Sequence, residues 1–136
     1  MTRFLLSLDR AVETVFDALR TALPGETYVP RVHAARVVDL AQVLINCRDI
    51  PIVYTGIRPG EKIHEILVSE EECHRTIERD GYYAICPMLP ELRRTLIDKP
   101  ALDKEYSSAD VTIDPVGLQR LLAEYLTEQT AGGLPV

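Results

Sequence analysis

RTIERDGYYAIC, residues 75–86, decides what kind of fold this chain adopts. Two β-prone arms flank Asp80-Gly81, and both of those residues tolerate the positive φ that a tight two-residue turn requires. The stretch therefore predicts a hairpin. Paired strands here, in a sequence whose other strong signals are helical, make the chain an α/β mixture rather than a helix bundle.

Working outward toward the carboxyl end, residues 87–106 hold Pro87, Pro90 and Pro100 among scattered charges and are expected to form a surface loop. Asp114 caps and Pro115 opens a last helix whose apolar positions are Leu118, Leu121, Leu122, Tyr125 and Leu126. A single lobe is expected over 1–127, followed by a frayed tail over 128–136.

Toward the amino end, Ser69 and Glu72 have the spacing of a capping box and predict a short helical turn. Residues 61–67 carry a helical pattern. PIVYTG, residues 51–56, is an apolar β-branched run expected to form a strand ending at Gly56. A helix is predicted over 37–47 with Val37, Leu40, Ala41 and Leu44 as its buried stripe. TYVPR, residues 27–31, reads as an edge strand closed by Pro30. Residues 8–23 read as an amphipathic helix with Ser7 at its start, Leu8, Val12, Val15 and Leu19 on one face, and Pro24-Gly25 at its end.

Composition narrows the function classes. The chain has 136 residues, 46% of them hydrophobic, enough for one domain with its own core. Its net charge of −6 opposes nonspecific nucleic-acid binding, which depends on clustered Lys and Arg. Any anion site is therefore local. No apolar run has the length of a membrane span, and Asp9 cuts short the only leader-like stretch, so a cytoplasmic protein without membrane contact is expected. Cys47, Cys73 and Cys86 form an odd set without a CxxC pair, the usage of reduced thiols. Cys73-His74, His33 and His64 lack ligand spacing, so no metal is expected.

GIRPGEK, residues 56–62, admits two readings. Pro59 fixes its own φ and Gly60 frees the next position, so a ligand could approach the backbone closely while Arg58 offers a planar fork to phosphate oxygens. Glu61 suits hydroxyls such as a ribose diol, and a helix beginning near it would add free N–H groups. On the other reading, Pro-Gly is a surface turn, Glu61 complements a helix dipole and Arg58 is simply solvated. Arg3, close to the terminus, is a solvated charge on the same reasoning. No GxGxxG turn follows a first strand, and no Tyr is followed four residues later by Lys.

Three collinear segments, MTRFLLSLDRAV at the start, GIRPGEKIHEIL in the middle and EYSSAD at 105–110, resemble the carboxyl-terminal portion of bacterial nucleotide-sugar dehydratases of the extended short-chain dehydrogenase/reductase superfamily. The resemblance is nearest to the inverting UDP-N-acetylglucosamine 4,6-dehydratases of surface polysaccharide and glycan biosynthesis, and it runs over nearly the whole chain. It implies a small mixed lobe of short strands and helices that closes over a UDP-sugar. Arg3 and Arg58 would contact the diphosphate and Glu61 the ribose. In the parent enzymes an amino-terminal Rossmann domain holds NADP and the catalytic residues, oxidises C4, eliminates water across C5 and C6 and returns the hydride with inversion at C5.

This chain departs from that pattern by lacking the Rossmann domain, and Met1 coincides with a methionine inside the family's MTRF motif, where a fragment or truncated frame would start. The chain is therefore expected to bind no cofactor, to contain no catalytic residue and to be catalytically incomplete alone. Its expected partners are a UDP-sugar, a Rossmann domain encoded upstream, and itself, through apolar surface left uncovered. A noncatalytic remnant acting by association and the lobe of a UDP-sugar 4-epimerase are the alternatives.

Overall fold

The computed structural model describes the backbone of residues 1–131 and the side chains of residues 1–125. A short strand, β1 (Thr2–Phe4), leads into helix α1 (Leu8–Thr21). Ser7 caps that helix as predicted, its hydroxyl accepting from the Arg10 N–H at 3.2 Å. Strands β2 (Thr27–Pro30) and β3 (Ala34–Arg36) follow, and then helix α2 (Val37–Ile45), which Asn46 terminates at φ +54°.

Strand β4 (Ile66–Val68) precedes the one-turn helix α3 (Glu70–Cys73), where the Ser69–Glu72 capping box forms in both directions. The hairpin is β5 (Thr76–Arg79) and β6 (Tyr82–Ile85), joined by Asp80 at φ +50° and Gly81 at φ +83°. A 3-10 turn at Pro90–Leu92 interrupts the long loop, β7 (Tyr106–Ser107) ends it, and helix α4 (Pro115–Ala131) closes the described chain. Asp114 Oδ1 accepts from the Gly117 N–H at 2.7 Å, the cap expected there. Of the tail expected over 128–136, residues 132–136 lie outside the described residues, as does the side chain of Leu126.

These elements form three antiparallel sheets, β1-β3, β2-β6-β5 and β4-β7. β2 is an edge strand, the position in a sheet where a proline such as Pro30 is tolerated. Val29, Val68, Cys73, Ile85 and Tyr106 make the core, with Phe4, Tyr83, Leu102 and Val111 packed on it. Tyr106 is the hinge pin of this cluster. Its ring lies 5.2 Å from both Phe4 and Tyr83, and its hydroxyl donates to the Val32 carbonyl at 2.7 Å while accepting from the Val32 N–H at 3.0 Å. Burial pushes that phenol's pKa up. All three cysteines are free, with Cys73 and Cys86 buried and Cys47 exposed.

The small mixed α/β architecture is the one expected, but several elements differ. Residues 51–56 form no strand and lie exposed, because no edge of another strand pairs with them. Residues 61–67 form no helix. The Lys62 and Ile63 carbonyls that a helix would turn inward instead accept from the Arg3 guanidinium and the Thr2 N–H, and Ile66–Val68 pair with β7. β1, β3 and β7 were not anticipated. On α2 the stripe is rotated, with Val37 and Leu44 exposed and Asp39 buried against the Arg36 guanidinium at 2.6 and 2.7 Å. The α1 stripe faces solvent, Leu8 and Leu19 being 79% and 78% exposed.

Candidate functional site

The segment 56–61 is a built turn. The Glu61 N–H donates to the Arg58 carbonyl at 3.0 Å, which closes a four-residue turn with Pro59 second and Gly60 third. Gly60 sits at φ +81°, the left-handed angle that the third position of a type II turn needs. Gly56 takes φ +80° where the chain enters. Nothing stands near either missing Cβ, so glycine is required there by backbone angle rather than by space.

Glu61 then folds back over the turn. Its Oε2 accepts from the Arg58 N–H at 3.1 Å, and its Oε1 lies 3.5 Å from an Arg58 guanidinium nitrogen. The Arg58 N–H holds this carboxyl below the usual carboxylate range, and the charges of Arg58 and Arg3 act in the same sense. The Arg58 side chain is 83% exposed and that of Glu61 19%. An ionised acceptor is thus seated and a guanidinium is left facing solvent above it. The helix N-terminus predicted to assist them does not form.

Arg3 approaches from behind. Its two terminal nitrogens donate to the Thr2 carbonyl at 2.7 Å, the Lys62 carbonyl at 2.9 Å and the Ile63 carbonyl at 3.4 Å, and its Nε lies 3.5 Å from Glu65. It braces the segment that follows the turn. Of its five N–H groups this leaves about one free. Arg3 therefore acts on Glu61 through its charge, while Arg58 and Glu61 touch directly.

Arg58 and Glu61 stand on the wall of a concave space of about 550 Å³ whose other walls include Val37, Ala41, Val53, Tyr54 and Ile57. An apolar hollow with a few convergent polar groups is the usual form of a small-molecule site. A second hollow, about 390 Å³, lies between the start of α1, residues 31–33 and α4, with Arg10 and Arg31 on its wall. Those arginines are already engaged with Glu13 at 3.2 Å and Glu78 at 2.5 Å. The first hollow offers the freer cation. Among the described residues no group of His, Cys, Asp and Glu is arranged to hold a metal, and no helix is long and apolar enough to cross a membrane.

Sequence reasoning missed the polar contacts in which Thr2, His64 and Ser108 meet. The available signal was that each belongs to one of the three collinear motifs. Ser and Thr are too common elsewhere to stand out singly.

Comparison with known proteins gives the chain its relatives. A family model described as polysaccharide biosynthesis protein matches residues 1–87. Over 89 residues the chain is 38% identical to a UDP-N-acetylglucosamine 4,6-dehydratase (inverting) of Campylobacter jejuni, an alignment covering 65% of this chain and 26% of that protein. It is 37% identical over 87 residues to a UDP-glucose 4-epimerase of Rickettsia felis, covering 62% of this chain and 26% of that one. The X-ray structure of Pen from Bacillus thuringiensis superimposes with a TM-score of 0.79 at 27% identity, over 93% of this chain and 39% of that chain. The chain thus spans 26% of the length of these two curated relatives. With the family model matched over residues 1–87 of 136, the chain belongs to the polysaccharide biosynthesis protein family.

Proposed function

We propose that this chain is the UDP-sugar-binding portion of a cytoplasmic nucleotide-sugar 4,6-dehydratase of bacterial surface polysaccharide or glycan biosynthesis, and that it binds without turnover when alone. The observation that carries the reading is the type II turn that seats Glu61 under an exposed Arg58 at an apolar hollow. Arg58 takes the diphosphate, because a guanidinium fork matches phosphate oxygens. Glu61 takes the ribose diol with the carboxylate oxygen that the turn leaves only loosely engaged, and Arg3 adds positive charge from behind. The similarity to the Campylobacter jejuni dehydratase favours UDP-N-acetylglucosamine as the sugar nucleotide.

NADP belongs to the dehydratase reaction, and the described residues do not fit it. A dinucleotide cradle needs a glycine-rich turn between a parallel strand and a helix N-terminus. Here the sheets are antiparallel, and Gly25, Gly60 and Gly81 serve separate turns, with Gly56 at the entry to the second of them. No chemical step is assigned to this chain.

Calorimetry with UDP and with pyrophosphate tests the binding assignment. UDP is expected to bind more tightly than pyrophosphate, and Glu61→Gln is expected to remove that preference. Equal affinity of the wild-type chain for the two ligands would overturn the ribose role. Similarity to the Rickettsia felis protein favours UDP-sugar 4-epimerisation as the second reading. Mass spectrometry on a complex reconstituted with a cofactor-binding domain separates the two, since dehydration removes 18 mass units, about one water, whereas epimerisation changes no mass.

The exposed face of α1 belongs to the same reading. Leu8, Val12, Val15, Phe16 and Leu19 form a contiguous apolar surface on a helix with no buried residue of its own. A cofactor-binding domain covers it in the working enzyme, and the isolated chain uses it to self-associate. Sedimentation should show wild-type oligomers that Leu8→Glu with Leu19→Glu converts to monomer. A monomeric wild type at high concentration would contradict this.

A further inference from the structure

Three motifs distant in sequence meet at one hydroxyl. Thr2 Oγ1 lies 2.6 Å from Ser108 Oγ and 2.8 Å from His64 Nδ1. Thr2 and Ser108 are 5% and 0% exposed, while His64 reaches solvent. Backbone bonds frame the cluster. The Thr2 N–H donates to the Ile63 carbonyl at 2.9 Å and the Ser108 N–H to the Glu65 carbonyl at 2.8 Å.

Counting protons gives this cluster a direction. The Glu65 N–H donates to Ser108 Oγ at 2.9 Å, so the Ser108 hydroxyl proton must go elsewhere. Two acceptors are within reach, Thr2 Oγ1 at 2.6 Å and the Thr2 carbonyl at 3.4 Å, and the shorter contact is much the better bond. Thr2 Oγ1 then sends its own proton on to His64 Nδ1. Donation from Glu65 N–H through Ser108 and Thr2 to a bare His64 Nδ1 puts each proton on a contact of 2.9 Å or shorter, whereas the reverse direction leaves the Ser108 proton on the 3.4 Å contact to the Thr2 carbonyl.

We propose that His64 is a positioning residue for the Arg58–Glu61 site, fixing the direction of this hydroxyl chain and so the placement of residues 61–65 and of the turn they carry. The inference rests on the UDP-binding reading above and deepens it. Residues 51–57 enter the turn exposed and without regular structure, so its placement depends on the carboxyl-terminal side. There β1 and Ser108 supply the hydrogen bonds that hold residues 62–65, and the direction that spares the Ser108 proton the long 3.4 Å contact requires His64 to accept at Nδ1.

The test combines three measurements on the full chain with His64→Asn, His64→Gln and His64→Ala. An Asn amide oxygen can occupy the place of Nδ1, whereas a Gln amide extends toward that of Nε2. Long-range proton–nitrogen NMR of the wild type should show a bare Nδ1 and a protonated Nε2. The Glu61 carboxyl, followed by carbon NMR, should titrate at its depressed midpoint in wild type and His64→Asn and move toward the ordinary glutamate value in His64→Gln and His64→Ala. UDP affinity should fall roughly threefold to tenfold in the same two variants and be retained in His64→Asn, the size of one hydrogen bond lost. A proton on Nδ1 would overturn the proposal, as would a Glu61 midpoint that is unmoved in His64→Gln. Should His64→Ala fail to fold, the Asn and Gln variants carry the comparison. If the wild type bound no UDP, the functional reading would fall, while the tautomer and the Glu61 titration would still decide the role of His64.

Discussion

Thr76, Tyr82, Ala84, Ile85 and Cys86 of the hairpin are buried, whereas in the equally β-prone run at 51–57 Val53 and Tyr54 are 76% and 81% exposed. Both stretches are rich in branched and aromatic residues, and both contain a glycine with positive φ. The difference lies in their neighbours. β6 has β2 on one side and β5 on the other, so every extended residue gains ladder bonds and a covered face. Residues 51–57 lie against no strand edge. Propensity makes a segment willing to extend, but the sheet decides whether it becomes a strand. What the run builds instead is a wall of the hollow beside Arg58, where exposed apolar side chains can meet a ligand.

The sharpest way to break this comparison is a matched pair of truncations. Ile85→Ala should cost about 2–5 kcal/mol, the range for emptying a packed aliphatic site, while Val53→Ala should stay within about 0.5 kcal/mol, as exposed substitutions do. Denaturant unfolding of both measures it, and similar losses would mean that 51–57 is packed. Tyr106→Phe should cost roughly 1–3 kcal/mol, because it strips both partners from the Val32 backbone groups beneath the sheet. Gly81→Ala should cost about 1–2 kcal/mol through the left-handed angle alone, since nothing crowds the added methyl. Thermal unfolding would detect each.

The smallest effect concerns the turn. Glu61 has a folded pKa below its unfolded one, so its contribution is complete above the ordinary glutamate value, about 4.3, and is lost as pH falls through the depressed folded value. Glu61→Gln should flatten the stability profile in that acid window and lower stability near neutrality by the amount the carboxylate contributes there. An unchanged acid slope would show that the carboxylate does not hold the Arg58 N–H.

How much was legible in the sequence follows the same line. The hairpin, the Ser7 and Asp114 caps and the Ser69–Glu72 box were readable because each is decided by residues a few positions apart. β1, β3 and β7 were not, because two or three residues carry no period and their pairing is long-range, such as Thr2 with Arg36 and Val68 with Tyr106. The helical reading of 61–67 failed because carbonyl acceptors were claimed from outside, by β1. At the site, Arg58 and Glu61 could be found through the Pro-Gly turn between them. The bracing role of Arg3 could not, since a guanidinium bound to backbone carbonyls and one that faces solvent have the same letter.

The central claim is that Arg58 is poised for a diphosphate rather than merely solvated, and Arg58→Lys tests it most directly, because lysine keeps the charge and loses the planar fork. Calorimetry with UDP on the wild type and on this variant should show weak but measurable binding that falls about tenfold to a hundredfold with the substitution. UDP binding of equal strength to both would contradict the account and leave Arg58 as a surface charge on a well-made turn.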